Sequence, residues 1–278
     1  IKSGSIVSPE LPIEFINTGE LDIKTTYVLP VTIKSVEGIG VLQSAKTYYY
    51  VFRGASLINV VCNISRNRAY PDFKNDSKFN NLTENTMEIL FKANSFPNTL
   101  NTLMGIESNY LLRIGDATIP NNQLQVATSV NNCTSADLQL ESGKWYHVAV
   151  AFNKGNVKVY INGVEKLSGS TGKSSVSLGA KHTNEEDGSR CFWVGYSYKD
   201  DRYFDGVVSE VRIWNRALTA EEIQATNHFY TIEPESEGLI AYWKFDEGSG
   251  TVAKDYSVSG YDLTIEKEPK WESVSLPQ

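Results

Sequence analysis

Trp145-Tyr146-His147-Val148-Ala149-Val150-Ala151-Phe152 and, after the link Asn153-Lys154-Gly155-Asn156, the run Val157-Lys158-Val159-Tyr160-Ile161-Asn162-Gly163 decide the kind of fold this chain adopts. Both runs alternate large residues with a period of two, the mark of strands with one face in a core. A short link rich in Asn and Gly between two such runs reads as a hairpin turn. Asn162-Gly163 repeats the turn signal, and a third run through Val164 and Leu167 follows it. The pattern dictates a β-sheet protein. It says little about chemistry.

The chain has 278 residues, room for one large or two modest domains. With 41% hydrophobic and 21% charged residues, it has the composition of an ordinary globular protein. Its 26 Lys and Arg against 33 Asp and Glu leave a net charge of −7, which argues against a nucleic-acid partner that would need a basic stripe. No run reaches the ~18–20 apolar residues of a membrane span. The first residue is Ile1 rather than Met, which fits removal of a signal peptide or an upstream domain. Cys62, Cys133 and Cys191 show neither CxxC spacing nor a His cluster, which argues against zinc. Their odd number leaves at least one thiol free. Buried free thiols are the expectation, with one disulfide as the alternative in an oxidising compartment.

Working outward, residues 1–53 form a first block with strands at Leu21–Lys24, Tyr27–Ile33 and Tyr48–Phe52, separated by a bend at Gly38 and Gly40. Pro30 inside a strand points to an edge or a bulge. About fifty residues is little for a self-sufficient sandwich. The register changes at Gly54-Ala55-Ser56, and 54–278 forms the second block. Its strands are expected at Leu57–Val61, Met87–Ala93, Leu111–Ile114, Leu124–Ala127, the opening hairpin, Phe192–Tyr196, Val207–Trp214, Gly238–Phe245 and Leu263–Ile265. The stretch 70–85 reads as a polar loop, and the residues after Ile265 as a polar tail. Many short strands with regular turn signals imply a sandwich or jelly roll. A single helix stands out. Thr219 and Glu222 make a capping box, Leu218 and Ile223 a hydrophobic staple, and the helix is expected to end near Asn227.

Trp145–Gly163, the stretch from Asp205 through Trp214 to Ile223, and the Gly-rich stretch Gly238–Asp255 together resemble the laminin-G-like branch of the concanavalin A-like lectin/glucanase superfamily. The resemblance implies an all-β jelly-roll sandwich of two antiparallel sheets, with a short helix near 219–227. Tyr27–Ser35 resembles part of a small β-sandwich domain found in Bacteroides-type surface proteins. That likeness implies an extracytoplasmic protein at the cell surface or in the periplasm, a lipoprotein whose signal region is absent from this chain. In one place the chain departs from the family. The pattern Ile-Asp-Glu-Val-Arg-Ile is here Val208-Ser209-Glu210-Val211-Arg212-Ile213, with Ser209 in the Asp position.

Glycosidases need two carboxylates at a set separation. Laminarinase-type relatives carry them as Glu-x-Asp-x-x-Glu on one strand, and no expected strand shows this. Glu185-Glu186-Asp187 beside Gly188 reads as a solvated loop, and His147, His182 and His228 are scattered, with His147 expected to be a satisfied sheet residue. The expectation is therefore a protein that is not an enzyme and requires no cofactor. Asp246, Asp255 and Asp262 lie where some relatives carry metal-bearing loops, which implies a structural calcium. The competing reading is that these Asp residues shape turns. For binding a poly- or oligosaccharide, Tyr196, Tyr198, Asp201, Arg202 and Tyr203 combine aromatic faces for stacking with polar groups for hydroxyls. They lie in a loop, where binding residues concentrate. Two alternatives stand beside glycan capture: an adhesion module with a surface-protein partner, and a divergent glycoside hydrolase. The sequons at Asn81 and Asn132 read as incidental in a bacterial protein.

Overall fold

The run from Trp145 turns back through Lys154 and Gly155, whose φ angles of +46° and +95° fit a two-residue hairpin turn. A Cβ at Gly155 would stand 2.5 Å from the Lys173 carbonyl oxygen, so the site demands glycine. Asn162 and Gly163 repeat the device at +50° and +77°. The computed structural model describes residues 13–14, 21, 25–36, 44, 46–53, 57–182 and 190–277. The chain divides into two units, Ile1–Leu57 with Ser275–Gln278, and Ile58–Val274.

In the smaller unit, β1 (Thr26–Thr32) and β2 (Thr47–Arg53) pair antiparallel with Thr32 opposite Thr47. Tyr27 stacks on Phe52 with centroids 5.9 Å apart. Pro30 lies in β1, whose one partner among the described residues is β2, so within them it occupies the expected edge position. Of the expected first strand only Leu21 is described, as a bend. Gly38, Gly40 and Gly54-Ala55-Ser56 lie outside the described residues.

The following strands are β3 (Ile58–Asn63), β4 (Ala69–Pro71), β5 (Glu84–Ala93), β6 (Asn101–Ile106), β7 (Tyr110–Asp116), β8 (Ile119–Thr128) and β9 (Trp145–Asn153). Next come β10 (Asn156–Ile161), β11 (Val164–Ser170), β12 (Trp193–Val194) and β13 (Gly206–Trp214), then the single-turn helix α1 (Ala220–Ile223). The last are β14 (Leu239–Trp243), β15 (Val252–Ala253), β16 (Leu263–Ile265) and β17 (Lys270–Leu276). One sheet runs β11-β10-β9-β5-β13-β3-β17, with β14 also on β13, and the other runs β15-β16-β4-β12-β6-β7-β8. Together they make an all-β sandwich. Among the described residues no helix is long and apolar enough to cross a membrane.

Alternation explains the layers. Met87, Ile89 and Phe91 of β5 and Val148, Val150 and Phe152 of β9 face a core shared with Leu112, Ile114 and Leu124 of the opposite sheet. Each such side chain contributes about 1.5–3 kcal/mol by leaving water. The outer face of the larger sheet is covered too. Ala149, Ala151, Tyr160, Trp214 and Tyr242 lie beneath Leu218, Ile223, Phe229 and Ile232.

Three expectations need correction. The stretch read as a polar loop from residue 70 contributes Tyr70 and Pro71 to β4, and its end belongs to β5. The polar tail holds β17, which pairs beside β3 at the sheet's end. Its polar side chains alternate with half-buried ones, a pattern an edge strand tolerates because only one face needs covering. The helix ends at Ile223 rather than near Asn227, whose φ of +63° belongs to the turns that follow. Its capping box forms as expected, with Thr219 N–H donating to Glu222 Oε2 at 2.8 Å and Glu222 N–H to Thr219 Oγ1 at 3.3 Å.

Candidate functional site

The loop after β12 begins at Gly195, with φ +79°, and closes where Phe204 N–H donates to the Gly195 carbonyl at 2.9 Å. Phe204 is buried and anchors it. The tyrosines of this loop have three different fates. Tyr196 is only 3% exposed. Its ring packs edge-on against Trp193 at 5.1 Å and at a tilt against Tyr203 at 5.0 Å, while the Arg68 guanidinium lies 4.6 Å from its centre. Arg68 is held by Glu266 through two hydrogen bonds of 2.6 and 2.8 Å. No face of Tyr196 remains for a ligand in this arrangement. Tyr203 is half-buried, and burial pushes its phenol up to about 12. Tyr198 is half-buried at φ +64°, a strained value for a bulky residue. The cationic groups of Arg190, Lys199 and Arg202 stand 5.4 to 5.7 Å from its ring centre. Arg202 also donates to Glu107 at 2.8 Å.

Tyr203 lines a groove of about 680 Å³ together with Ser65, Arg66, Ser95, Asn98, Asp200, Asp205 and Lys267. Asp201 and Arg202 line an adjoining depression of about 450 Å³ with Asp116 and the shared Pro97 and Asn98. So of the five expected sugar-binding residues Tyr203 lines one depression, and Asp201 and Arg202 line a second that shares Pro97 and Asn98 with it. Asp205, which composition did not single out, is the organiser. Its carboxylate accepts from Ser95 Oγ at 2.6 Å, Ser65 Oγ at 2.8 Å and Asn94 Nδ2 at 3.3 Å. Burial works to raise its pKa, but the hydrogen bonds from Ser95, Ser65 and Asn94 prevail and hold it below the ordinary value.

The Asp residues of the Gly-rich stretch do different work. Asp255 is 4% exposed. Its Oδ1 accepts the N–H groups of Tyr242 at 3.0 Å and Ser257 at 2.8 Å, and its Oδ2 that of Tyr261 at 2.8 Å. Asp262 Oδ1 accepts the N–H of Asp255 at 2.8 Å, and Asp246 is exposed. Ser209, in the family's Asp position, is buried and donates to the Lys244 carbonyl at 2.9 Å. Cys62, Cys133 and Cys191 are buried thiols that form no disulfide among the described residues. Glu185-Glu186-Asp187 lies outside the described residues.

Two of the three histidines are not scattered in space, while His182 lies apart, stacked on Tyr70. His147 and His228 converge on Glu88 beneath the covering segment, with Glu88 Oε1 2.6 Å from His228 Nε2 and 3.4 Å from His147 Nε2. His147 is fully buried, yet among the described residues neither ring nitrogen forms a hydrogen bond, so the expected satisfied sheet residue is not what the described fold contains. The 3.4 Å approach feels the carboxylate without the alignment of a bond. A bulge between Ser209 and Arg212, with Glu210 at φ +50°, turns Glu210 and Arg212 into the same buried layer. There Arg212 bonds Glu210, and the Tyr242 hydroxyl donates to Glu210 at 2.7 Å. Sequence spacing carried no signal for this cluster, because His147 and His228 lie on separate elements that only the covering segment brings together.

The profile of the family described as the concanavalin A-like lectin/glucanases superfamily matches residues 67–224. A "putative carbohydrate binding protein" from Bacteroides ovatus ATCC 8483 is similar in structure at 26% identity and TM-score 0.67, over 91% of this chain and 70% of that one. A SAP-like heptameric pentraxin from Limulus polyphemus is similar at 14% identity and TM-score 0.43, over 63% of this chain and 83% of that one. Domain 4 of AbnA, a GH43 extracellular arabinanase from Geobacillus stearothermophilus in complex with arabinotriose, is similar at 20% identity and TM-score 0.46. That likeness covers 77% of this chain and 91% of the domain. Among curated proteins nothing matches.

Proposed function

Because this chain belongs to the laminin-G-like family of the concanavalin A-like lectin/glucanase superfamily, we propose that it binds a poly- or oligosaccharide without cleaving it. The observation that carries this reading is the open groove, where the half-buried ring of Tyr203 lies among Ser65, Asn98, Asp200 and Lys267. An aromatic side chain among polar groups suits a pyranose, apolar on its faces and hydroxylated at its rim. The likeness to the Bacteroides ovatus protein supports the same ligand class. A non-catalytic role is supported by Asp205, whose oxygens are occupied by Ser65, Ser95 and Asn94. It acts outside the cytoplasm, at the cell surface or in the periplasm as a lipoprotein, a reading supported by the resemblance of Tyr27–Ser35 to a domain of surface proteins. For the Gly-rich stretch we propose turn organisation without calcium, since Asp255 already accepts three N–H groups.

Affinity electrophoresis of the chain through a panel of polysaccharides tests the binding. At least one gel should retard it, and Tyr203→Ala or Asp200→Ala should weaken that retardation about tenfold, a loss of roughly 1.4 kcal/mol. Retardation by no polysaccharide, or reducing ends released from the bound one, would overturn the proposal.

A further inference from the structure

The cluster under the covering segment lies outside the sugar-facing groove and has a chemistry of its own. Glu88 on β5, His147 on β9 and His228 in the turns after α1 bring one carboxylate oxygen and two imidazole nitrogens within 4.8 Å of one another, all three residues buried. Two imidazoles and a carboxylate are the donor set of zinc and neighbouring borderline cations. Donors about 2.0–2.2 Å from such an ion stand roughly 3.3 Å apart in a tetrahedral arrangement. The Glu88–His147 separation of 3.4 Å already has that value. The Glu88–His228 pair, at 2.6 Å, needs to open by less than an ångström.

Several features set this cluster apart from an ordinary buried ion pair. His147 is fully buried, and among the described residues neither ring nitrogen has an aligned hydrogen bond, the nearest approach being Glu88 Oε1 at 3.4 Å; folded proteins avoid such a polar group unless a water or ion completes it. The second carboxylate oxygen is held from outside the cluster, since Trp214 Nε1 donates to Glu88 Oε2 at 2.7 Å. Such outer bonds orient a ligating carboxylate. Phe229 stacks on His147 at 4.5 Å and shuts out solvent. The layer also holds the Glu210 carboxylate and the Arg212 guanidinium, the latter 3.7 Å from Glu88 Oε2, with the Lys244 ammonium acting on Glu210. Arg212 directs its bonds to Glu210 and to the His228 carbonyl, the latter at 2.7 Å.

We propose that Glu88, His147 and His228 form a buried site for a borderline divalent cation, zinc fitting best, which clamps the segment after α1 onto the sheet. A small donor such as water takes the fourth position. The site is independent of sugar binding and joins elements far apart in the chain, so its occupancy stabilises the fold.

The test uses the full chain, stripped with a chelator and dialysed against Zn²⁺ or Co²⁺. One equivalent should remain through gel filtration, Co²⁺ should show the visible absorption of a tetrahedral ion, and zinc X-ray absorption should show two imidazoles and no sulfur. At a hundredfold excess over Kd the Tm should rise by on the order of 5–10 °C. His228→Gln should lose retention at least tenfold. His182→Gln should not, although His182 Nδ1 lies 3.2 Å from the Cys191 sulfur and marks the obvious competing site. No retained metal, equal retention by His228→Gln, or sulfur in the donor set overturns the proposal. If His228→Gln fails to fold, the donor set of the wild-type protein decides alone.

Discussion

Three backbone N–H groups converge on the carboxylate of Asp255, from Tyr242, Ser257 and Tyr261. Asp255→Ala leaves all three without this acceptor at a position only 4% exposed. It should cost roughly 3–5 kcal/mol, measured by urea unfolding, because a buried donor without a partner forfeits its desolvation energy. Adding calcium should leave the Tm of the wild-type protein unchanged if turn organisation is the whole role of this loop. Residue identity alone could not decide such roles. Tyr196, Tyr198 and Tyr203 look alike in sequence, yet the first is inside, the second is flanked by cations and the third lines the groove. What separates them is the turn at Gly195 and the tether from Phe204, and neither follows from composition.

At the scale of elements, much was legible. The alternation of β9 and β10 specifies which side chains meet the opposite sheet, and the Lys154-Gly155 and Asn162-Gly163 turns set the register. The capping box of α1 was equally readable, since Thr219 and Glu222 serve each other over a fixed spacing of three residues. Thr219→Ala should cost about 1 kcal/mol, seen as a lower urea midpoint with unchanged m-value. A helix of four residues contributes little by itself, so that loss would show how firmly the segment is seated over Ala149, Ala151 and Tyr160. The edge strand β17 was not legible. Its polar alternation fits a solvated tail as well as a strand, and only the pairing beside β3 chooses between them.

For the larger unit as a whole, Asp205 ties together three separate stretches: Ser65 after β3, Asn94 and Ser95 after β5, and its own position before β13. Its folded pKa lies below the ordinary value, so the folded state binds the proton more weakly than the unfolded chain. The stabilisation is therefore fully present above a pH of about 4 and lost as pH falls through the folded value. Chemical unfolding of the wild type and Asp205→Asn should show a difference that is constant from neutral pH down to about 5 and shrinks below about 4. A difference that grows in acid would contradict the role assigned to this carboxylate. The all-β class, the hairpins, the capped helix and the family resemblance can all be read from the residues alone, because periodicity and turn chemistry act over a few residues. Which loop tyrosine lines the groove, that Asp205 organises it, and that Glu88, His147 and His228 meet come from the folded arrangement. Those outcomes depend on contacts between strands and loops far apart in the chain, on distances that no local pattern encodes.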